Sequence, residues 1–250
     1  MKKLIFNLME SILASRANRV VEAKRSREYF DFDAFLEFLL EARGTLRFVQ
    51  IGGCDGVSYD PIYDFVIRNK GSVGGVVVEP LPEPFKSLEN NYAHCPKVTL
   101  VNYAIHNTES EMPIYRVDPA RLSELPHWAI GISSFNKDHH ELSGTPSDYI
   151  IEQNVPCKSL SELLDEHAID HLDLLQIDTE GYDREIVRGI DFGRIRPTII
   201  RFEHRIADQM MTREQFGELA SLLHEQGYEL IVERHDATAY LPEMMLPSAQ

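Results

Sequence analysis

Cysteine is scarce in this chain of 250 residues: Cys54, Cys95 and Cys157 are the only three, and no CxxC pair occurs. That argues against a disulfide framework or a cysteine-rich zinc site, and a reducing cytoplasm is the expected compartment. Basic residues are also short. Lys and Arg number 25 against 40 Asp and Glu, a formal net charge of −15 with histidine neutral. Neutralising nucleic-acid phosphates needs a basic face, so nucleic acid is not an expected partner. Long apolar runs are missing too. The start, MKKLIFNLMESILASRANR, offers only Leu4-Ile5-Phe6 before Asn7, with Glu10 and Arg16 close behind. This is too short for a signal-peptide core or a transmembrane segment. No repeat of solenoid length and no low-complexity tract is visible.

What is present is an ordinary globular composition, 43% hydrophobic and 26% charged. A chain of this length can bury a large core. Leu4, Ile5, Leu8, Ile12 and Leu13 recur at helical spacing, as do Phe30, Ala34, Phe35, Phe38 and Leu39, with Gly44 as a stop signal. Residues 1–44 are therefore expected to form a helical extension. Its first helix packs on its own domain or pairs two chains into a homodimer. A membrane-surface helix with Lys2 and Lys3 toward lipid is the alternative.

From Leu46 onward, short apolar runs alternate with helical stretches. The runs are Phe48–Ile51, Val76–Val78, Val98–Val101, Leu174–Ile177 and Thr198–Ile200. Helices are expected near Pro61–Asn69, Glu83–Ala93, Ser161–His167, Arg184–Gly189 and Arg213–Gln226. Nearly continuous apolar strands separated by helices indicate a parallel sheet covered on both faces, a doubly wound α/β domain over residues 45–250. Tyr228–Glu233 and Ala237–Leu241 read as an antiparallel edge pair. Glu111–Val117 reads as a further antiparallel strand. Residues 118–156 lack a strong period and are read as a substrate-side insertion.

Four strand ends carry the chemistry. Gly52, Gly53 and Gly56, with Asp55 among them, follow the first strand, where backbone turns tightly or approaches a ligand. A turn without a ligand is the alternative. Glu79 ends the next strand, and an acid there accepts hydrogen bonds from ribose hydroxyls in doubly wound folds. These two features leave open a nicotinamide cofactor or S-adenosylmethionine. Asp55 tips the balance, because it would repel a pyrophosphate and suit an ammonium. The run Asp178-Thr179-Glu180-Gly181-Tyr182-Asp183 follows the fourth strand, and Glu203-His204 ends the fifth. Together Asp178, Glu180, Glu203 and His204 can serve as a general base with orienting acids. Asp178, Glu203 and His204 can instead hold a divalent cation. Helix capping by Asp178 and Glu180 is the structural alternative.

FVQIGGCDG, VVVEP, VNYAI, LLQIDTEGYD and FEH, spread over Leu46 to Leu241, resemble the FkbM family of S-adenosylmethionine-dependent methyltransferases. The resemblance implies a class I methyltransferase (Rossmann-like) fold with a reversed last strand. It also implies O-methylation of a hydroxyl on a sugar, glycan or secondary metabolite. It assigns Gly52, Gly53, Asp55 and Gly56 to the methionine part of the cofactor and Glu79 to its ribose. Asn102, Tyr103 and Ala104 take the adenine edge. Asp178, Glu180, Glu203 and His204 fall near the transferred methyl, with Asp178 also touching cofactor. Gly131–Phe135 matches a short motif of some members, giving substrate contacts at Ser134, Phe135, Glu180 and His204. The family more often has Asp where this chain has Gln50, which shifts the charge of the loop onto Asp55. His204 is the expected base, because an imidazole titrates near neutrality, and Asp178 is second. His139-His140 in the insertion can approach substrate, with exposed loop residues as the blander reading. A nicotinamide-dependent oxidoreductase and a non-catalytic module of the same fold are the rival readings.

Overall fold

The structure, a computed structural model, describes residues 30–245. The helix expected over residues 4–13 lies outside them. The first described helix, α1, spans Phe32–Arg43. Asp31 caps it by accepting from Ala34 N at 3.0 Å, and Gly44, in the left-handed region at φ 77°, ends it. Its apolar stripe, including Phe35, Leu36 and Leu39, packs against Phe48, Val73 and Val77 of the sheet. The extension therefore shares the core of the domain that follows it.

The main sheet contains β1 (Leu46–Ile51), β2 (Val73–Val78), β3 (Val98–Val101), β8 (Leu174–Ile177), β9 (Ile199–Glu203), β10 (Glu229–Val232) and β11 (Asp236–Tyr240). Their spatial order is β10-β11-β9-β8-β1-β2-β3. The five strands from β3 to β9 are parallel. β11 runs antiparallel between β9 and β10, which makes the expected reversed pair at one edge. Helices α2 (Tyr63–Arg68), α3 (Pro82–Tyr92), α4 (Leu160–Glu166), α5 (Asp183–Arg188) and α6 (Arg213–Glu225) connect the strands. Each matches a helical segment read from the sequence to within two residues. Register aligns the strand exits: Ile51 lies opposite Val78 and Ile177, and Ile177 lies opposite Phe202. Gly52, Glu79, Asp178 and Glu203 consequently leave the sheet along one edge, where ligands bind in doubly wound folds.

A second sheet, ordered β4-β7-β5-β6, is built from β4 (Ala104–Ile105), β5 (Glu111–Val117), β6 (Ser133–Ser134) and β7 (Ile150–Lys158). β5 and β7 pair antiparallel from Glu111 opposite Pro156 to Val117 opposite Ile150. β6 and most of β7 fall within residues 118–156, where the sequence shows no strong period. The nine-residue β7 is hard to see in sequence because Glu152, Gln153 and Asn154 interrupt its apolar positions, and only Val155 and Cys157 are buried. The insertion upstream of it is a chain of short 3-10 turns.

Arg43 fastens α1 to the far side of the sheet. It pairs with Asp173 and donates to Thr198 Oγ1 at 2.9 Å and Met244 O at 2.8 Å. Asp173, buried, also accepts from Arg47 N at 2.7 Å. Removing a buried partner strands the remaining charge. Asp173→Ala should therefore lower unfolding free energy by about 3 kcal/mol in urea denaturation, and an unchanged midpoint would deny the anchor.

Candidate active site

A cavity of about 520 Å³ opens along the aligned strand exits, within the size range of a site for one small molecule. Gly52 lines it, at φ 88°, and a Cβ at this position would collide with the carbonyl oxygen of Asp178. The glycine thus lets the exits of β1 and β8 touch. Gly53 lines the cavity as well. Gly56, at φ 75°, instead faces Leu88 and Tyr92 of α3, so its part is packing. Asp55 also turns away. Its Oδ1 accepts from Val57 N at 2.9 Å and Ser58 N at 2.7 Å, and its Oδ2 accepts from Ser58 Oγ at 2.7 Å. Burial pushes its pKa up, but these bonds outweigh burial and hold it low.

The carboxylate that does reach the cavity from this loop is Asp60. Gln50 Nε2 donates to Asp60 Oδ2 at 2.9 Å, while Asp60 Oδ1 accepts from Ile62 N and Tyr63 N at 2.8 and 2.9 Å. Gln50 Oε1, in the cavity wall, is buried without a hydrogen-bond partner. An orphan acceptor beside a carboxylate fits a cationic N–H donor such as an ammonium. Gln50 therefore orients an acid ten positions further along the chain.

Glu79 is buried in the wall next to this loop. Its Oε2 accepts from Cys54 N and its Oε1 from Leu81 N, both at 2.8 Å. Each oxygen keeps a lone pair for a ligand hydroxyl. Of the three residues expected at the adenine edge, only Ala104 lines the cavity. Asn102 donates to Glu79 O at 2.8 Å and Pro80 O at 3.0 Å, bracing the turn behind Glu79. Tyr103 points elsewhere, its hydroxyl donating to Glu166 Oε2 at 3.3 Å.

The acids after β8 and β9 do converge. Oxygens of Asp178, Glu180 and Glu203 lie within 4.8 Å of one another. Helix capping is not their role. Tyr182 is the N-cap of α5 and no side chain caps it, while Asp183 accepts from Thr179 N at 3.1 Å and Thr179 Oγ1 at 2.5 Å and so braces the turn after β8. Arg205 Nε pairs with Glu203 Oε1. His204, by contrast, is outside the site. Successive strand residues point to opposite faces, so the residue after Glu203 faces away from it. His204 Nδ1 accepts from Ile206 N at 3.3 Å, its Nε2 lies 3.3 Å from Glu233 O, and its ring packs 5.0 Å from that of Phe216. Burial also lowers its pKa. The expectation of His204 as base, substrate contact or metal ligand is corrected on this geometry. The oxygen donors offered to a hard cation are Asp178, Glu180 and Glu203.

An imidazole reaches the cavity from the insertion instead. His139 Nε2 lies 3.0 Å from Glu180 Oε2, and both residues line the cavity. Glu180 holds a left-handed backbone at φ 53°, and its carbonyl oxygen accepts from Ser134 Oγ at 2.7 Å. Ser134 and Phe135 also line the cavity. Phe135 stands edge-on to Tyr182 at 5.2 Å and to His106 at 5.6 Å. Sequence reading missed Asp60 and Arg205, and it placed His139 near substrate only as the lesser of two readings. The signals available were the Asp60-Pro61 helix start and the nearness of His139 to Gly131–Phe135.

The model of the Methyltransferase FkbM domain matches residues 50–230. No curated protein matches the chain by sequence. Among solved structures, the chain is similar to an O-methyltransferase from Bacillus cereus in complex with SAH, at 11% identity and TM-score 0.43, covering 92% of this chain and 89% of that one. Precorrin-6y C5,15-methyltransferase from Geobacter metallireducens is 14% identical at TM-score 0.40, with 88% and 94% covered. The Methanococcus jannaschii fibrillarin pre-rRNA processing protein is 9% identical at TM-score 0.42, with 79% of this chain and 66% of that protein covered.

Burial and crowding raise the pKa values of these carboxylates. Burial, then the charge of Glu180, pushes Glu203 up to about 8, partly opposed by Arg205. Burial pushes Glu79 up to about 7, against its two backbone N–H bonds. Asp178 is raised well above the usual carboxylate range by burial and by Glu203 and Glu180. Raised carboxyl pKa values mean that the folded state binds more protons than the unfolded one, so stability falls as pH rises through that window. Buried His204, with its lowered pKa, acts in the opposite direction below about pH 6.5. In buffer containing chelator, the melting temperature of the ligand-free protein should therefore fall between about pH 6.5 and 8.5. Glu203→Gln should flatten the upper part of the decline, and a melting temperature that rises over this range would contradict the protonated cluster.

Proposed function

The chain belongs to the FkbM methyltransferase family, whose cofactor is S-adenosylmethionine, and we propose that it methylates a hydroxyl of a neutral sugar, glycan or secondary metabolite. The cofactor supplies a methyl group already activated on a sulfonium, so the protein's work is holding, orienting and moving one proton. Asp60 and Gln50 Oε1 would take the ammonium of the methionine part, and Glu79 the ribose hydroxyls. Gly52 and Gly53 would let backbone come close to the cofactor. Asp178 would face the sulfonium.

The His139–Glu180 pair carries the oxygen-acceptor reading. A hydroxyl is barely nucleophilic until a base accepts its proton during attack. Glu180, accepting the Nε2 hydrogen of His139, fixes the tautomer that leaves a lone pair on Nδ1. That nitrogen would take the hydroxyl proton as the acceptor oxygen receives the methyl group that the cofactor supplies. The resulting imidazolium is stabilised by Glu180, much as an acid supports histidine in hydrolytic triads. No helix among the described residues is long and apolar enough to cross a membrane. The three free cysteines suit a reducing cytoplasm.

The base assignment is tested by transfer of labelled methyl to acceptors found by screening sugars and glycosides. His139→Ala should lower kcat by about 100-fold or more, while S-adenosylhomocysteine still binds. His204→Ala should lower the melting temperature and keep kcat within about threefold of wild type, since its ring makes packing and backbone contacts. Full kcat in His139→Ala would sink the assignment. A second variant probes the cofactor side. Asp60→Asn should weaken S-adenosylhomocysteine binding about tenfold by calorimetry, the scale of one charge-assisted hydrogen bond. Asp55→Asn should cost thermal stability instead, and equal binding losses in both would remove the distinction.

A further inference from the structure

Among the described residues, half of the exposed large hydrophobic side chains stand on one cavity. Tyr59, Trp128 and Leu142 are 73%, 42% and 49% exposed, and all three line the cavity described above. Scattered exposed apolar residues need no explanation, but a cluster at a pocket does. The three come from separate segments: the loop after β1, the turn His127–Gly131 and the turn His139–Ser143. Tyr59 holds φ 61°, a left-handed conformation that bulky L-residues rarely adopt. Strain of this kind clusters at ligand sites.

We infer that the acceptor is an amphiphile, with a neutral hydroxyl-bearing head group entering the cavity and an attached alkyl or aryl group resting on Tyr59, Trp128 and Leu142. The inference rests on the methyl-transfer reading for the head group and on the rim alone for the apolar group. A cavity of about 520 Å³ suits about one small molecule. The cofactor and a reacting hydroxyl would fill most of it, and the remainder of a larger acceptor must cross the rim. Charge decides the head group. The cavity wall carries Asp60, Glu79, Asp178 and Glu180, and its lone arginine, Arg205, is paired with Glu203. No Lys lines it. An anionic head group would meet acids with no uncommitted cation, whereas a neutral one meets hydrogen-bond acceptors.

The chain contains one tryptophan, so Trp128 fluorescence reports on the rim directly. Full-length protein is titrated with methyl and octyl glucoside, the latter below its micelle concentration, with and without S-adenosylhomocysteine. Octyl glucoside should shift Trp128 emission to shorter wavelength, with a Kd at least about tenfold tighter than that of methyl glucoside, the direction set by burying additional methylenes. Leu142→Ser, which keeps the reporter, should reduce that ratio at least about threefold. Equal binding of the two glucosides with S-adenosylhomocysteine bound would overturn the amphiphile inference and leave the methyl-transfer reading standing. Octyl glucoside binding without any S-adenosylhomocysteine binding would keep the rim and overturn the methyl-transfer reading. Failure of both ligands would overturn both. Vesicles of neutral phosphatidylcholine with a neutral glycolipid separate the sources of this chemistry. Cosedimentation marks a membrane-held acceptor, and a soluble protein fraction that still binds monomeric octyl glucoside marks a diffusible one.

Discussion

Asp183 is the clasp on which the site depends. Its carboxylate is fully buried and accepts from Thr179 N and Thr179 Oγ1 on one oxygen and from Glu203 N, at 3.0 Å, on the other. It therefore ties the exit of β8 to the exit of β9 and fixes the separation of Asp178, Glu180 and Glu203. The turn it holds is strained. Glu180 at φ 53° is followed by Gly181 at φ 111°, and a left-handed non-glycine residue costs about 1–2 kcal/mol. Hydrogen bonds from Thr179 to Asp183 and from Ser134 to Glu180 O offset that cost. They also aim the Glu180 side chain at His139 across the cavity.

Three carboxylates in one corner repel one another. At separations up to 4.8 Å, each ionised pair costs about 3 kcal/mol or more at an effective dielectric of about 20. The folded protein relieves this with Arg205 and with retained protons, which is why burial and mutual repulsion raise Asp178 and Glu203 together. On the proposed reading, a sulfonium offers a third form of relief. The attraction exists before methyl transfer, when the sulfur is cationic, and disappears after it, when the sulfur is neutral. The acid corner would then bind the cationic cofactor more tightly than its neutral product. It also gives the net charge of −15 a partly local origin.

The strands and helices of the main sheet were legible because each is a short apolar run or an amphipathic period bounded by Gly, Pro or Asp. The carboxylates were legible because a residue following an apolar parallel strand must emerge at its C-terminal edge, whatever its neighbours do. What failed were inferences needing side-chain direction or loop path. His204 adjoins Glu203 in sequence, but strand alternation turns it to the other face. Asp55 lies among the glycines, yet a short acid in a tight turn satisfies its own loop, and Asp60 reaches the cavity in its stead. The exchange of Asp for Gln at position 50 looked like a lost charge. In the fold it is a donor that holds the charge of Asp60 in place. The pairing of His139 was illegible for a different reason: its partner is 41 residues away, and only the closure of β5 on β7 brings the insertion back over the sheet edge.

That closure explains why the insertion can carry function with so little core of its own. Its upstream half packs around a small cluster of Val117, Ala129 and Ile132, and most of its hydrogen bonds are local to the 3-10 turns. Segments of this kind open at low free-energy cost. Two of its contacts reach the rigid domain at Glu180, one from Ser134 and one from His139. The same glutamate thus orients the proposed base and fastens the segment that delivers it. Loss of that carboxylate would weaken both at once, so base and cover are coupled through a single residue. Trp128 and Leu142 stand on two turns of the same insertion, and a ligand resting on them and reaching Glu180 would hold that insertion against the sheet edge. Acceptor binding would then bear on the catalytic pair, because the turn that presents Leu142 also carries the imidazole of His139.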